Sequence, residues 1–227
     1  MTDTVIPVPP RPMIPVAGGG CFPVRRVYCI GRNYADHAIE MGHDPDREPP
    51  FFFQKNPENM DPSGQFPYPP MSSDVHHELE LVVALKSGGR DIRPEDALAH
   101  VFGYGIGLDM TRRDLQGQMK KMGRPWEIGK AFERSAPVGP LHAVAEVGHK
   151  DHGRLSLSVN GELRQDGDLN QMIWKVPEMI AHLSQYYDIA AGDLIMTGTP
   201  AGVAAVARGD VMQARIDGLG EITVTVI

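Results

Sequence analysis

His76-His77-Glu78-Leu79-Glu80-Leu81-Val82-Val83-Ala84-Leu85 reads as a strand entering an apolar core, yet it carries two carboxylates at alternate positions. Side chains alternate across a strand, so His76, Glu78 and Glu80 fall on one face and His77, Leu79 and Leu81 on the other. Two carboxylates about 5 Å apart repel by roughly 3 kcal/mol at an effective dielectric near 20. Burial adds to that cost unless a cation or a proton compensates. The pair is therefore a candidate part of a divalent-metal site. A solvated edge face, where charge discourages edge pairing, accounts for the same stretch equally well.

The next strand bears on the choice. Val101–Leu108 is apolar and punctuated by glycines, consistent with a strand that needs close backbone approach, and Asp109 stands at its end. A carboxylate there can join Glu78 and Glu80 around one cation, giving the oxygen-rich, hard ligand set expected for Mg²⁺ or Mn²⁺. Asp109 can equally be a cap for the following helix. Thr111 with Asp114 three residues on resembles a capping box opening a helix that stops at Gly123.

The rest of the chain gives an α+β class with a strand majority. Strands are expected over 24–30, ending at Gly31, and over 50–55. A short helix is expected over 34–41 with Asn33 as its N-cap, and another over 94–99. Residues 155–159 and 162–165 flank Asn160-Gly161, a strong hairpin signal. Pro177 opens a helix to about 187, a strand follows over 194–196, and 210–227 reads as two strands joined near 218–220. Residues 1–23, rich in Pro and Gly, are expected as an extended arm rather than a packed element, leaving 24–227 as one domain.

Composition excludes several classes. The chain has 227 residues, 29 acidic against 22 basic, and a net charge of −7, which argues against general nucleic-acid binding. Arg112, Arg113, Lys120, Lys121, Arg124 and Lys130 form a local basic cluster suited to a small anion, or to a solvated helix face. Two cysteines, Cys21 and Cys29, suggest no disulfide framework. No apolar run approaches membrane-spanning length and no leader is evident, so a cytoplasmic protein is expected.

Three further features could carry chemistry. His37 and Glu40 lie three apart on one helix face, where a carboxylate would raise the basicity of the imidazole, although a surface pair has the same spacing. Lys130, between Ile128-Gly129 and Ala131-Phe132, either snorkels to solvent or points into a site. Thr197-Gly198-Thr199-Pro200 ends a strand in a hydroxyl- and Gly-rich loop, either an anion cradle or an ordinary turn.

Taken in order, Gly31-Arg32-Asn33-Tyr34-Ala35-Asp36-His37, His77-Glu78-Leu79-Glu80-Leu81, Leu108-Asp109-Met110-Thr111, Lys130-Ala131-Phe132, Gly192-Asp193 and Thr197-Gly198-Thr199-Pro200 resemble the fumarylacetoacetate hydrolase superfamily. The resemblance is to its short, single-domain acylpyruvase-like branch and covers about 24–227. Arg47-Glu48-Pro49-Pro50-Phe51-Phe52-Phe53 and the Pro-rich start further resemble the bacterial fumarylpyruvate hydrolase group of gentisate-type aromatic degradation.

The resemblance implies a fumarylacetoacetate hydrolase-like fold, with a compact mixed β-sheet or β-roll core, a few short helices, and a homodimer. It implies Mg²⁺ or Mn²⁺ on Glu78, Glu80 and Asp109, and a water-activating dyad of His37 and Glu40. Lys130 would stabilise developing negative charge, and Arg113, Gln116 and Thr199 would line the pyruvate end of a 2,4-diketo acid. A distal carboxylate on that substrate could be received by Arg25, Arg26 or Arg32, although ordinary surface positions account for the three arginines as well. The implied activity is hydrolysis of a carbon–carbon bond, fumarylpyruvate giving fumarate and pyruvate. Acylpyruvase or oxaloacetate decarboxylase activity on the same site is the alternative, and a non-catalytic organic-acid or metal-binding protein is the alternative outside enzymes.

Overall fold

Leu79–Leu85 is buried along its whole length, because the strand is covered on both faces. Leu79, Leu81, Val83 and Leu85 project into one apolar cluster, and Val82 and Ala84 into a second. Glu80 therefore shares its face with Val82 and Ala84. A strand covered twice reads as a continuous apolar run rather than an alternating one, which is the pattern of residues 81–85. The computed structural model describes residues 4–35 and 49–227. His37, Glu40 and most of the helix expected over 34–41 lie outside the described residues.

Leu79–Leu85 belongs to a six-stranded mixed sheet ordered His142–Ala143, Val101–Leu108, Leu79–Leu85, Asp193–Met196, Arg26–Gly31 and Phe51–Lys55. Its pairings are antiparallel except that of Asp193–Met196 with Arg26–Gly31. A five-stranded sheet runs Glu162–Asp168, Arg154–Val159, Val211–Ile216, Gly220–Val226 and Gln65–Phe66. Leu155 and Leu157 from this second sheet, with Met179, Ile180 and Leu183 from the helix Val176–Tyr186, complete the first cluster. Each such side chain stabilises the fold by about 1.5–3 kcal/mol relative to its exposed state.

Sheets with a few short helices make this an α+β protein with the mixed β-sheet core expected from sequence. No helix among the described residues is long and apolar enough to cross a membrane. The glycines of Val101–Leu108 serve the expected close approach: a Cβ on Gly103 would stand 2.1 Å from the His142 carbonyl oxygen of the neighbouring strand.

Two local expectations fail. Within the Pro/Gly-rich arm, Met13–Pro15 and Cys21–Pro23 pair as a small hairpin. Its Ile14 and Phe22 are buried in the second cluster, so two apolar side chains outweigh the Pro and Gly around them. The capping box of Thr111 and Asp114 does not form. The helix Arg113–Lys121 starts two residues after Thr111 without a side-chain cap, and the Asp114 carboxylate accepts from Ser72 Oγ at 2.7 Å and from the Ser73 and Leu115 amides instead.

Candidate metal centre and substrate cleft

The acidic cluster follows from strand register. Leu79 pairs with Leu108 and Glu80 with Gly107, and the Asp109 amide donates to the Glu78 carbonyl at 2.8 Å just beyond the ladder. That extension brings the three carboxylates together at the ends of two neighbouring strands. Glu78, Glu80 and Asp109 each offer an oxygen within 4.8 Å of the others, and all are buried.

Their compensation is uneven. Lys130 Nζ donates to Glu78 Oε2 at 2.9 Å and to Asp109 Oδ2 at 2.6 Å. Lys55 Nζ pairs with Asp109 Oδ1 at 2.8 Å, and Arg113 with Glu78 Oε1. Glu80 has no ion pair among the described residues; its Oε2 accepts the Gly198 N–H at 2.9 Å. Burial, together with the charges of Asp109 and Glu78, accordingly pushes the Glu80 carboxyl well above the usual carboxylate range. Burial works to lower the Lys130 ammonium, but Asp109 and Glu78 outweigh it and the group is held above its ordinary value. An all-oxygen donor set in which one carboxylate, Glu80, has no cation among the described residues fits a hard divalent cation.

The triad opens into a cleft lined also by Arg32, Phe51, Phe53, Arg113, Gln116, Lys120, Trp126, Lys130, Gly198 and Thr199. Arg113 donates to Gln116 Oε1 at 2.7 Å, while its buried Nε has no hydrogen-bond partner among the described residues, leaving a donor for an incoming anion. Thr199 Oγ1 accepts from Gln165 Nε2 at 2.8 Å, which leaves the hydroxyl proton of Thr199 available to a ligand.

The family model for the fumarylacetoacetate (FAA) hydrolase C-terminal region matches residues 26–227. The chain belongs to the fumarylacetoacetate hydrolase family. Among solved structures, it resembles fumarylpyruvate hydrolase from Pseudomonas aeruginosa in complex with Mn²⁺ and pyruvate, with 52% identity, 99% of each chain covered and a TM-score of 0.97. It is 41% identical to a fumarylpyruvate hydrolase of Ralstonia sp, over 82% of this chain and 98% of the relative. It is equally 41% identical to the oxaloacetate tautomerase YcgM of Escherichia coli (strain K12), over 87% of this chain and 90% of the relative.

Glu78, Glu80, Asp109, Lys130, Arg113, Gln116, Thr199 and Arg32 line one cleft, while His37 and Glu40 lie outside the described residues. Arg25 and Arg26 do not line it: Arg25 Nη1 donates to Asp193 at 2.8 Å and Arg26 Nη1 to the Tyr28 hydroxyl at 3.3 Å. His76 stands outside the triad and is paired with Asp74 at 2.8 Å.

Three residues at the site escaped the sequence reading. Lys55 is buried and donates to Ser135 Oγ at 2.9 Å and to the Lys130 carbonyl; a lysine closing an apolar strand was its only signal. Thr111 Oγ1 lies within donor distance of Glu78 Oε1 and the Asp109 carbonyl. Gln165, fully buried, accepts from the Leu79 amide at 2.9 Å and lies 3.0 Å from His77 Nδ1. It ties the Glu-x-Glu strand to the Thr199 loop, and Gln in an outwardly polar hairpin strand gives no hint of that. His77, buried beside it, is pushed down to about 4 by burial, so it is neutral and donates from Nδ1 to the Gln165 oxygen.

Proposed function

We propose that this protein is a metal-dependent hydrolase that cleaves the C3–C4 bond of a 2,4-diketo acid, with fumarylpyruvate as substrate and fumarate and pyruvate as products. The observation that carries the reading is the buried triad of Glu78, Glu80 and Asp109 opening into a cleft with an Arg113 Nε unpartnered among the described residues. The similarity to the two fumarylpyruvate hydrolases supports the choice of acyl group.

Glu78, Glu80 and Asp109 would hold Mg²⁺ or Mn²⁺, which when bound supplies Lewis-acid stabilisation of negative charge at the pyruvate end. Arg113 Nε and the Thr199 hydroxyl bind the 1-carboxylate, and Gln116 keeps the Arg113 guanidinium in plane with it. His37, supported by Glu40, takes a proton from water as its oxygen attacks C4. Lys130 keeps one N–H beyond those given to Glu78 and Asp109, and that proton stabilises the oxyanion at C4. The C3–C4 electron pair then moves to C3, C4 leaves as the carboxylate of fumarate, and C3 takes the proton back from His37 to give pyruvate. Lys55 and Thr111 hold the two inner carboxylates in place and touch no reacting atom.

Two variants test the assignment. Glu78→Ala is expected to abolish metal-dependent turnover; near-wild-type activity would remove the triad from the mechanism. His37→Ala is expected to retain Mn²⁺ affinity while kcat falls by roughly 10²–10⁴. Loss of Mn²⁺ affinity with kcat restored at saturating metal would make His37 a ligand instead. The E. coli relative favours a second reading, oxaloacetate tautomerisation through the same enolate chemistry. Turnover of oxaloacetate with none of fumarylpyruvate would select it.

A further inference from the structure

The cations of the cleft divide into two groups. Lys130 and Arg113 are committed to Glu78 and Asp109. Arg32 and Lys120 have no carboxylate partner among the described residues, and each stands against an aromatic ring. Lys120 Nζ is 5.5 Å from the Trp126 ring centroid, and Arg32 Cζ is 6.0 Å from that of Phe51. The two rings meet edge to face at 4.8 Å between centroids, so these two cations and the two rings form one continuous wall.

Two backbone features keep that wall in place. Arg32 holds φ of +58°, a conformation rare for a residue with a Cβ and found where surrounding structure fixes it. Gly31 beside it admits the Phe51 ring, since a Cβ there would stand 2.3 Å from Phe51 Cδ1.

We propose that Arg32 and Lys120 form a subsite for a second, distal carboxylate, and that Phe51 and Trp126 pack against a planar unsaturated segment leading to it. This rests on the diketo-acid reading and makes the subsite the determinant of acyl-group choice. The cleft's lining carries Glu78, Glu80 and Asp109 against Arg32, Arg113, Lys120 and Lys130. With a divalent cation on the triad it holds an excess of positive charge, of which a substrate with a carboxylate at each end offsets two units and one with a neutral acyl tail only one. Burial and the neighbouring charges of Arg32 and Arg113 both lower the Lys120 ammonium, so an anion placed between these groups relieves their repulsion. Charge-assisted hydrogen bonds to a carboxylate are the strong kind, and flat aromatic walls suit a conjugated chain.

The test compares fumarylpyruvate with acetylpyruvate, which has the same pyruvate end and no distal carboxylate, on the wild-type metal-loaded protein and on Lys120→Gln and Arg32→Gln. Each variant is expected to raise KM for fumarylpyruvate by roughly 10- to 100-fold, the loss of a charge-assisted hydrogen bond. KM for acetylpyruvate should stay near the wild-type value. Lys120→Glu should penalise fumarylpyruvate further and spare acetylpyruvate. Equal KM changes for both substrates, or no change for fumarylpyruvate, would overturn the subsite while leaving the hydrolase reading intact. Wild-type turnover of neither diketo acid would overturn the reading beneath it and the subsite together.

Discussion

Replacing Glu80 with Gln should make the metal-free protein more stable as pH rises, a direction opposite to that expected for a removed buried hydrogen-bonding group. Glu80 is 2% exposed and is the one carboxylate of the triad without a cation among the described residues. Its folded-state pKa lies well above the ordinary 4.5. A raised acid contributes stability that is fully present below the unfolded pKa and is lost as pH rises towards the folded pKa. The loss runs at about 1.4 kcal/mol per pH unit over that window. The amide isostere does not titrate and keeps an acceptor for the Gly198 N–H. Inside that window the variant should therefore gain on the wild type as pH rises, by about 1.4 kcal/mol or ~3–6 °C in melting temperature for each pH unit. The assay is thermal melting in chelator at a series of pH values above 4.5, repeated with Mn²⁺. The variant should lose the Mn²⁺-dependent rise in melting temperature that the wild type shows. A pH-independent difference between the two proteins in chelator, or an undiminished Mn²⁺ shift in Glu80→Gln, would refute the reasoning.

Lys130→Met leaves Glu78 and Asp109 buried without their shared cation, so the metal-free protein should lose roughly 3–5 kcal/mol. Saturating Mn²⁺ should recover part of it; equal losses by denaturant titration with and without metal would show that Lys130 does not compensate the triad. Gln165→Leu strands the Leu79 amide and His77 Nδ1 and removes the donor that holds Thr199 Oγ1. It should cost about 3 kcal/mol by the same titration and raise KM for a diketo acid; an unchanged KM would disconnect Gln165 from the cleft. His77, at about 4 in the fold against an ordinary 6.5, contributes stability that is present above pH 6.5 and lost as pH falls towards 4, about 3 kcal/mol in all. His77→Asn should show a shallower acid slope over that window, and an identical slope would mean that His77 does not titrate there.

How much of this was legible depended on whether the chemistry sat on local pattern. Glu78 and Glu80 could be read because alternation and an apolar run are properties of one strand, and Asp109 because it ends the next apolar strand. Lys55 could not, since only the sheet topology carries the far end of Phe51–Lys55 to Asp109. Gln165 could not either: it is the sole buried residue of Glu162–Asp168, and the strand that buries it lies far away in sequence. Thr111 was misread because its Thr-to-Asp spacing satisfies the capping pattern, while the nearby Glu78 carboxylate offers its hydroxyl a partner. The packing of the arm is not legible because Ile14 and Phe22 bury in one cluster with Val138 and Leu141, far along the chain, which no local pattern records. Arg32 was singled out with Arg25 and Arg26, and only the fold separates them, by giving Arg25 to Asp193 and Arg26 to Tyr28.

The measurement closest to the central claim is pyruvate release from fumarylpyruvate by chelator-stripped protein, before and after adding Mn²⁺ or Mg²⁺. The account predicts negligible release without metal, and with metal rapid formation of pyruvate and fumarate in equal amounts. Equal rates with and without metal would contradict the role given to the triad. No release under either condition, from protein shown to bind Mn²⁺, would contradict the assignment as a fumarylpyruvate hydrolase.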